Sequence, residues 1–340
     1  MPSSTSNSNP HERAPQRRWV LLGVSSLLLA AILLVATETF WRARGFQPSF
    51  TDDEALWSYH RARVTAKPQT LVILGASRSQ AGFSQDEFRN RYPQWDLVQL
   101  SVSGQSPLAA LADLAADPSF RGVVLCSVTA GALQQRNRED QQPYVDYYHQ
   151  QSPSERREIG LQRWVKGALV STHPQVSLAS VSQRVLRGDG LPRPAVFETA
   201  FDRSNRIRYE DLDMEAYRAQ RVARVEERRA TMEREGPEEW RESVRIVDGW
   251  VRTIEARGGK VLFIRYPTTG DHWALDERDF PRANYWDVFA TTCAGIQLHF
   301  QDVLALRGFE CPDTSHLDTR DVPRFTAALV TAMEDRGLLW

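Results

Sequence analysis

The sequence feature that most constrains this chain is an uncharged apolar run near its N-terminus. From Trp19 to Ala36 the sequence WVLLGVSSLLLAAILLVA contains eighteen residues without a charge, and Thr37–Trp41 extends the run with Glu38 as its one charged residue. A helix of about 20 mostly apolar residues can cross a bilayer, because a helix satisfies its backbone polar groups internally. A helix of a soluble core is expected to carry a polar face, and none interrupts this run. We therefore expect a transmembrane anchor over residues 19–41.

The residues that flank the run favour a cytoplasmic N-terminus. Three arginines precede the run closely, whereas two follow it and share their side with Glu38. Basic residues concentrate on the cytoplasmic side of a span, so we expect the rest of the chain to lie in the periplasm or the extracellular space. A cleaved signal peptide is the alternative, but no small-x-small pair stands at the end of the run.

The remaining sequence divides into segments of different character. Residues 1–18 are polar and low in complexity, which predicts a disordered cytoplasmic tail. Residues 42–69 are mixed and polar and are expected to link the membrane to one α/β domain over residues 70–340. Residues 134–237 are rich in polar and charged side chains and predict a mostly helical insertion in that domain. Within it, the Arg- and Glu-crowded stretch Tyr217–Glu235 is typical of a solvated helix.

Short apolar runs alternate with helical patterns across the domain. Four runs have the continuous apolar character of strands that are buried on both faces of a parallel sheet. Pro107–Ala116 and Glu238–Arg257 have helical periodicity, and Gly258 and Gly259 close the second helix before the next strand. The alternation predicts an α/β fold with a doubly wound, mainly parallel sheet of the flavodoxin-like type. The predicted strands are Thr70–Gly75, Asp96–Val102, Gly122–Val128 and Lys260–Tyr266.

Charge and cysteine content bear on the class of function. The chain has 42 basic and 43 acidic residues and a formal net charge of -1, so no net field favours nucleic acid as a partner. Its three cysteines are too few for a disulfide scaffold, and no C-x-x-C or His-rich spacing predicts zinc, so we expect neither metal nor cofactor. Cys126 lies in a predicted strand and reads as a small buried hydrophobe. Cys293 and Cys311 are expected either to pair in an oxidising compartment or to remain free.

Three motifs place chemically useful residues at the ends of predicted elements. Ser77 follows the first strand in LVILGASRSQ, and Gly104 follows the second in DLVQLSVSGQSP. Near the C-terminus, the sequence CPDTSH places Asp313 three residues before His316. The carboxyl ends of parallel strands meet at one edge of a sheet, where ligands collect. A carboxylate at this spacing can bond histidine Nδ1 and leave Nε2 to accept a proton from serine, and a glycine can offer its N–H to an oxyanion.

Together these motifs resemble the SGNH, or GDSL-type, hydrolase family, in which a serine follows the first strand, a glycine follows the second, and a D-x-x-H precedes the final helix. The resemblance covers residues 70–130 and 260–340 and leaves the central insertion outside it. It implies four site residues: Ser77 as nucleophile and oxyanion donor, Gly104 as a second oxyanion donor, His316 as general base, and Asp313 as the carboxylate that orients it.

The sequence departs from the family pattern in two places. The first block reads G-A-S-R instead of G-D-S, a form similar to that of membrane-anchored cell-envelope relatives involved in O-acetylation of polysaccharides. The third block, GVVLCSVTAGALQQRN, has no asparagine at the strand end to act as an oxyanion donor. Ser127 or Thr129 could take that place, and Asn137 is expected to lie too far along the chain. An altered or lost activity therefore stays open.

Two arginines are candidate substrate-binding residues. Arg78 follows the predicted nucleophile, and Arg265 ends the fourth predicted strand, so either could bind a carboxylate or a sugar acid. The alternative for each is a structural ion pair with one of the many acidic residues. His272 and His299 lie near the same end of the sheet and are given no role.

The resemblance implies an extracytoplasmic serine esterase or O-acyltransferase that acts through an acyl-serine intermediate without a cofactor. Its expected partners are the bilayer, through residues 19–41, an acylated glycan or small ester, and possible membrane proteins. One alternative is a catalytically silent scaffold of the same fold that binds a glycan or assembles with membrane partners. Another is a sensor or adaptor whose insertion, with stretches such as PYVDYYHQQ, is the functional surface.

Overall fold

The computed structural model describes residues 13–152, 154, 155, 158, 160, 167, 169–210 and 212–340. These residues include twelve α-helices: α1 Arg13–Ala43, α2 Glu54–Arg61, α3 Ser77–Ala81, α4 Gln85–Arg91, α5 Leu108–Ala116, α6 Gln142–Gln150, α7 Leu178–Arg187, α8 Met214–Thr231, α9 Pro237–Glu255, α10 Gly270–Asp279, α11 Trp286–Thr292 and α12 Val322–Glu334. The strands are β1 Thr70–Leu74, β2 Asp96–Gln99, β3 Val123–Ser127, β4 Phe197–Thr199, β5 Asn205–Ile207, β6 Lys260–Arg265 and β7 Ile296–His299.

The chain forms two compact units. One comprises the described residues of Met1–Pro48 and Val165–Pro194, and the other those of Ser49–Trp164 and Ala195–Trp340. In the first unit, the stretch Arg17–Ala43 of α1 is long and apolar enough to cross a membrane, and its apolar window is unburied. Of the predicted N-terminal tail, residues 1–12 lie outside the described residues, and the rest forms the start of α1.

The second unit is built on a five-stranded sheet in the order β2-β1-β3-β6-β7, with every neighbouring pair parallel. Counted within this sheet, the order is that of flavodoxin-like folds, in which the strand order reverses beside β1. This confirms the predicted doubly wound α/β fold. The last strand, β7, was not predicted, because polar residues separate the apolar ones in its sequence IQLH and leave no continuous apolar run.

Helices cover both faces of the sheet because alternate strand residues point to opposite sides. Val72 and Leu74 of β1 belong to one apolar cluster, which includes side chains of α5, α9 and α11. Leu71 and Ile73 belong to the other, which includes side chains of α4 and α12. Every residue of β1 is therefore buried, as its continuous apolar sequence predicts.

Part of the predicted linker belongs to the second unit, which begins at Ser49. Within it, Trp57 of α2 is fully buried in the first cluster and donates from Nε1 to the carbonyl oxygen of Leu100 at 2.9 Å. Arg61 of the same helix forms a buried ion pair with Asp113 at 2.6 Å. Five of the eight residues of α2 are thus buried, although their composition is that of a linker.

The insertion contains α6, an antiparallel β4–β5 hairpin and α8, with α7 in the first unit. The aromatic residues of PYVDYYHQQ mainly pack inward: Tyr144 and Tyr148 each make an edge contact with Trp57, at 6.3 and 6.4 Å between ring centroids. These contacts support the packing interpretation of this stretch rather than an exposed stacking surface.

The disulfide considered between Cys293 and Cys311 is wrong, because both thiols are free. Cys293 is buried in the cluster on one face of the sheet, whereas Cys311 is buried in the cluster on the other face. The sheet separates the two side chains, and a bridge requires Cα atoms within roughly 7 Å. Cys126 is a buried core residue, as predicted, and burial raises the pKa of its thiol.

Candidate active site

Ser77 lies at the carboxyl edge of the sheet, where β1 turns into α3. The turn depends on Gly75, whose φ of +142° is rarely adopted by other residues. A Cβ atom at this position would lie 2.7 Å from Ser127 Cβ and 2.5 Å from Ser79 Oγ. The close packing of this turn against β3 fixes where Ser77 begins its helix. The first N–H groups of that helix have no partners within it.

The structure brings Ser77, His316 and Asp313 together, although more than two hundred residues separate the serine from the histidine. Ser77 Oγ lies 2.8 Å from His316 Nε2, and His316 Nδ1 lies 2.8 Å from Asp313 Oδ2. The carboxylate requires a proton on Nδ1, which leaves Nε2 to accept the hydrogen bond from the serine hydroxyl. This is the geometry in which a serine hydroxyl can lose its proton to a histidine.

The loop between Asp313 and His316 is fixed by its own backbone. Asp313 Oδ1 accepts hydrogen bonds from the backbone N–H groups of Ser315, at 3.0 Å, and His316, at 2.7 Å. Between them, Thr314 adopts a left-handed φ of +67°, which is unusual for a β-branched residue. Its carbonyl oxygen accepts from Thr269 N at 3.0 Å. The loop is thus held in a strained conformation that presents both carboxylate oxygens to the histidine.

Burial and charge set the protonation states of this pair. Burial alone would raise the pKa of Asp313, but the hydrogen bond and charge of His316, together with Arg221, hold it well below its ordinary value. Burial lowers the pKa of His316, and the neighbouring Asp313 opposes this without reversing it. At neutral pH the site therefore holds a carboxylate and a neutral imidazole, the form that can accept a proton.

Residues of the insertion support the triad from outside. Arg221 of α8 places Nε 3.3 Å from Asp313 Oδ2, and Phe197 of β4 contacts the His316 ring edge-on at 5.3 Å. Burial, followed by the charge of Asp313, raises the pKa of the nearby Tyr209 hydroxyl, so this residue stays neutral. Sequence analysis missed these three residues, since nothing in their spacing separates them from a solvated, charge-rich insertion.

The predicted oxyanion residues surround the same cavity. Gly104 lines the cavity with a φ of +75°, and an added Cβ would meet no atom within 4 Å, so the backbone here needs glycine for its conformation rather than for space. Ser127 and Thr129, named as substitutes for the missing asparagine, also line it. Asn137 lines it too, and its Nδ2 donates to Gly131 O at 2.8 Å. That Asn137 lies too far along the chain to act as an oxyanion donor stays a prediction.

Arg265 is held by protein groups. Its guanidinium donates to Tyr266 O at 2.8 Å and to Thr268 Oγ1 at 2.9 Å, and it forms an ion pair with Asp276. Burial, with the nearby Arg78, lowers its pKa to about 10. The structural ion-pair alternative therefore describes Arg265, even though the residue reaches the cavity wall.

Arg78 is placed differently. Its guanidinium lies 2.9 Å from His272 Nε2 and 3.9 Å from the Asp276 carboxylate, which also binds Arg265 and Arg229. Burial, followed by the charge of Arg78, lowers the pKa of His272 to about 3, so the imidazole is neutral and accepts from the arginine. Arg78 thus stands next to the serine, and among the described side chains the shared Asp276 is the one carboxylate within ion-pair distance of it.

The cavity in front of Ser77 has a volume of about 340 Å³. Ser77, Gly104 and Asn137 are among the residues that line it, and α8 and α10 contribute other lining residues. A space of this size is at the lower end of the range typical of small-molecule sites. It can admit a small acyl group with part of its alcohol.

Comparisons with known proteins give distant structural likeness only. No protein-family model matches the sequence. No curated protein matches it either. The chain is similar to a crystal structure of TesA at 14% identity and a TM-score of 0.34, with 78% of this chain and 98% of TesA covered. It is similar to the psychrotrophic esterase EstA from Pseudoalteromonas sp., inhibited by monoethylphosphonate, at 12% identity and a TM-score of 0.33, with 79% and 98% covered.

Proposed function

We propose that this chain is a membrane-anchored serine esterase or O-acyltransferase of the SGNH type. The observation that carries the proposal is the continuous hydrogen-bonded series from Ser77 Oγ through His316 to Asp313, with 2.8 Å at each step. The series opens onto a cavity at the carboxyl edge of the parallel sheet, where ligands of such folds bind.

The reaction follows from the roles of these atoms. Ser77 Oγ attacks the ester carbonyl while His316 Nε2 takes the hydroxyl proton, and Asp313 stabilises the resulting imidazolium. Gly104 and the free N–H groups at the start of α3 are suited to stabilise the oxyanion. The alcohol leaves with the proton from His316, and the acyl group remains on Oγ. Water or an acceptor hydroxyl then loses its proton to His316 and takes the acyl group.

The setting of the reaction is a further part of the proposal. The helix suited to span a membrane and its flanking arginines support a cytoplasmic N-terminus with the catalytic unit outside the cytoplasm. The G-A-S-R form of the first motif supports acetyl-type groups on an envelope polysaccharide as the substrate, and membrane proteins as partners. A reporter fused after Trp340 tests the orientation. Activity of a reporter that works only in the cytoplasm would contradict it.

Labelling with a fluorophosphonate tests the chemistry, because this reagent reacts with activated serines. The full chain in detergent should be labelled on Ser77, and Ser77→Ala should abolish labelling. Ser315→Ala is the matched control: Ser315 lines the same cavity, and only its backbone N–H bonds to the triad. This variant should keep its labelling.

The main alternative is a catalytically silent scaffold of the same fold. It predicts a correctly folded chain in which Ser77 does not react and no ester is turned over. The missing third-block asparagine supports it, whereas the hydrogen bonds that join Ser77, His316 and Asp313 oppose it. If the fluorophosphonate does not label Ser77 in a folded sample, the scaffold hypothesis is favoured over the enzyme.

A further inference from the structure

The cavity in front of Ser77 is unusually rich in positive charge. Among the described residues that line it, seven are arginines and three are carboxylates. Burying guanidinium groups beside a cavity is unfavourable unless anionic groups compensate them. The arginines are Arg78, Arg221, Arg228, Arg229, Arg234, Arg265 and Arg282, and the carboxylates are Asp140, Asp276 and Glu277.

Most of these arginines already bind carboxylates of the protein. Arg221 contacts Asp313, and Arg282 contacts Asp287 and Asp302. The remaining contacts share their carboxylates: Asp276 is contacted by Arg78, Arg229 and Arg265, and Asp279 by Arg229, Arg234 and Arg278. Five guanidinium groups thus depend on two carboxylates, and positive charge remains in excess beside Ser77.

Arg228 of α8 is the arginine with the least compensation. Its side chain is exposed, and its guanidinium donates to Gly104 O at 3.4 Å. Within the part of the chain that the structure describes, no carboxylate lies within ion-pair distance of it. It reaches the carbonyl of the predicted oxyanion glycine, so its free donors lie beside the place where an ester would react. Arg224, one turn earlier on α8, is exposed and does not line the cavity.

We propose that the site takes esters that carry an anionic group, and that Arg228, with Arg78, binds this group as the specificity-determining pair. A carboxylate, sulfate or phosphate would satisfy their donors. The inference rests on the proposed function in one respect, namely that the ligand is an ester. The anion site itself is argued from the arginines. The anionic group belongs either to the acyl part or to the alcohol.

Binding to the full chain carrying Ser77→Ala tests this without turnover. Two probe pairs differ in one charge: monomethyl succinate against methyl butyrate, and O-acetylglucuronate against O-acetylglucose. Calorimetry should show that the anionic member binds about tenfold more tightly in one pair at least, a preference that salt reduces. Preference in the first pair assigns the charge to the acyl part, and preference in the second assigns it to the alcohol.

The matched variants decide whether Arg228 is responsible. The two changes are matched, since each removes one positive charge from α8. Adding Arg228→Gln should remove most of the preference, whereas adding Arg224→Gln should leave it, because Arg224 does not line the cavity. Equal binding within both pairs would overturn the inference, even if fluorophosphonate labels Ser77. Preferential anion binding in a chain that the reagent does not label would overturn the proposed function and leave the anion site standing.

A second, independent inference concerns α7 in the first unit. Leu178, Val185 and Leu186 are 87%, 55% and 87% exposed, although all are large apolar residues. They share an arc of the helix with Val181, while Arg184 and Arg187 occupy the opposite side. A short amphipathic helix with an exposed apolar arc and basic residues opposite is suited to the surface of a bilayer.

The packing of α7 places it near the end of the apolar helix. Val181 packs against a small cluster made of Trp41, Phe46, Val170 and Val176. Trp41 stands near the C-terminal end of α1, where a span would leave the membrane. The Glu38 carboxylate accepts hydrogen bonds from Val170 N at 3.0 Å and Ser171 N at 2.7 Å, and this secures the segment before α7 to α1.

We infer that α7 lies in the headgroup region of the bilayer that α1 enters, with Leu178, Val185 and Leu186 in contact with acyl chains. The occupant of the apolar arc is therefore lipid. Continuity with the unburied apolar surface of α1 in the same unit supports it, as do Arg184 and Arg187, which lie opposite the apolar arc and can remain among the polar headgroups.

Lipid-dependent quenching tests the inference in the full chain, reconstituted in nanodiscs. An environment-sensitive dye is attached to Leu186→Cys, Arg184→Cys or Ile32→Cys; the three native cysteines are buried. Positions 184 and 186 are about 160° apart around a helix. Lipids with a quencher on the upper acyl chain should quench position 186 several-fold more than position 184, and Ile32 reports insertion of α1.

Equal quenching at positions 184 and 186 with Ile32 quenched would overturn the inference and leave the anchor intact. No quenching at any position would remove the anchor and the inference together. A blue-shifted dye at position 186 without lipid quenching would mean that a protein covers the arc, which would also overturn it.

Discussion

Asp313 uses its two oxygen atoms for two different tasks. Oδ1 accepts hydrogen bonds from backbone N–H groups and fixes the loop. Oδ2 binds His316 Nδ1 and forms an ion pair with Arg221. The rotamer of the carboxylate is thereby determined twice, so the imidazole keeps one orientation and one tautomer. Because Asp313 and His316 are held in fixed orientations, Ser77 is a candidate nucleophile rather than an ordinary serine in a strand-to-helix turn.

The triad should behave as one unit in kinetics. Ser77→Ala and His316→Ala should each lower turnover of a responsive ester by roughly 10³-fold or more, and the double variant should be scarcely worse than either. Asp313→Asn should impair turnover by favouring the wrong histidine tautomer. Steady-state rates with circular dichroism as a folding check measure this. Additive effects of the single changes would mean that the residues do not act together.

Activity should depend on pH through His316. Its imidazole must be neutral to accept a proton, so kcat/KM should rise with pH and reach half its plateau below the ordinary value of 6.5, because the folded pKa is lowered. The same shift means that the unfolded state binds more protons between the two pKa values, so stability falls as pH drops below 6.5. A pH–rate profile with its midpoint above 6.5 would contradict the burial of a neutral imidazole.

At the scale of elements, α8 combines two roles that its sequence does not distinguish. One side is exposed and charged, as expected of a solvated helix, while Arg221, Val225 and Arg229 line the cavity. Their spacing of four residues places them on one face. The insertion therefore contributes a wall of the candidate active site, and substrate selection is expected to change with its sequence more readily than with that of the sheet.

The helix α2 should contribute to the stability of the second unit. Trp57→Ala should lower the free energy of unfolding by about 3–5 kcal/mol, because a fully buried tryptophan leaves a cavity and an unpaired carbonyl at Leu100. Tyr147→Ala, at an exposed aromatic position of α6, is the control and should cost about 0.5 kcal/mol or less. Denaturant unfolding measures both. Equal, small losses of unfolding free energy in both variants would show that α2 does not stabilise the unit and acts as a linker.

At the scale of the whole molecule, the parallel sheet explains why the residues of the candidate active site lie together and why two cysteines lie apart. Its carboxyl edge gathers residues from β1, β2 and the loop before α12, whereas its two faces keep Cys293 and Cys311 apart. Redox conditions should therefore have little influence on the fold.

Thiol mapping tests this separation. Alkylation of the denatured, non-reduced full chain should modify all three cysteines, and peptide mass mapping should find no bridged peptide, even after exposure to mild oxidant. In the native chain, alkylation should be slow, because burial raises the pKa of Cys293 and Cys311 to about 12. A peptide pair linked through these two cysteines would show that the loop before His316 lies elsewhere.

The sequence by itself determined the features that depend on local patterning. Apolar runs predicted four of the five strands of the sheet, helical periodicity predicted the helices α5 and α9, and the charge-free run predicted a helix able to cross a membrane. The sequence also singled out Ser77, Asp313 and His316, which the structure brings together. Ser77 follows the first strand, and Asp313 and His316 precede the last helix.

Only the tertiary structure decided the contacts between distant segments. Arg221, Asn137 and Trp57 lie in stretches whose composition predicts solvated helix or linker, and their positions depend on how the insertion and α2 fold against the sheet. Periodicity reports the face on which a residue lies but not its neighbours, because neighbours are set by packing between elements far apart in the chain. For the same reason, the state of Cys293 and Cys311 could not be read from their separation in sequence.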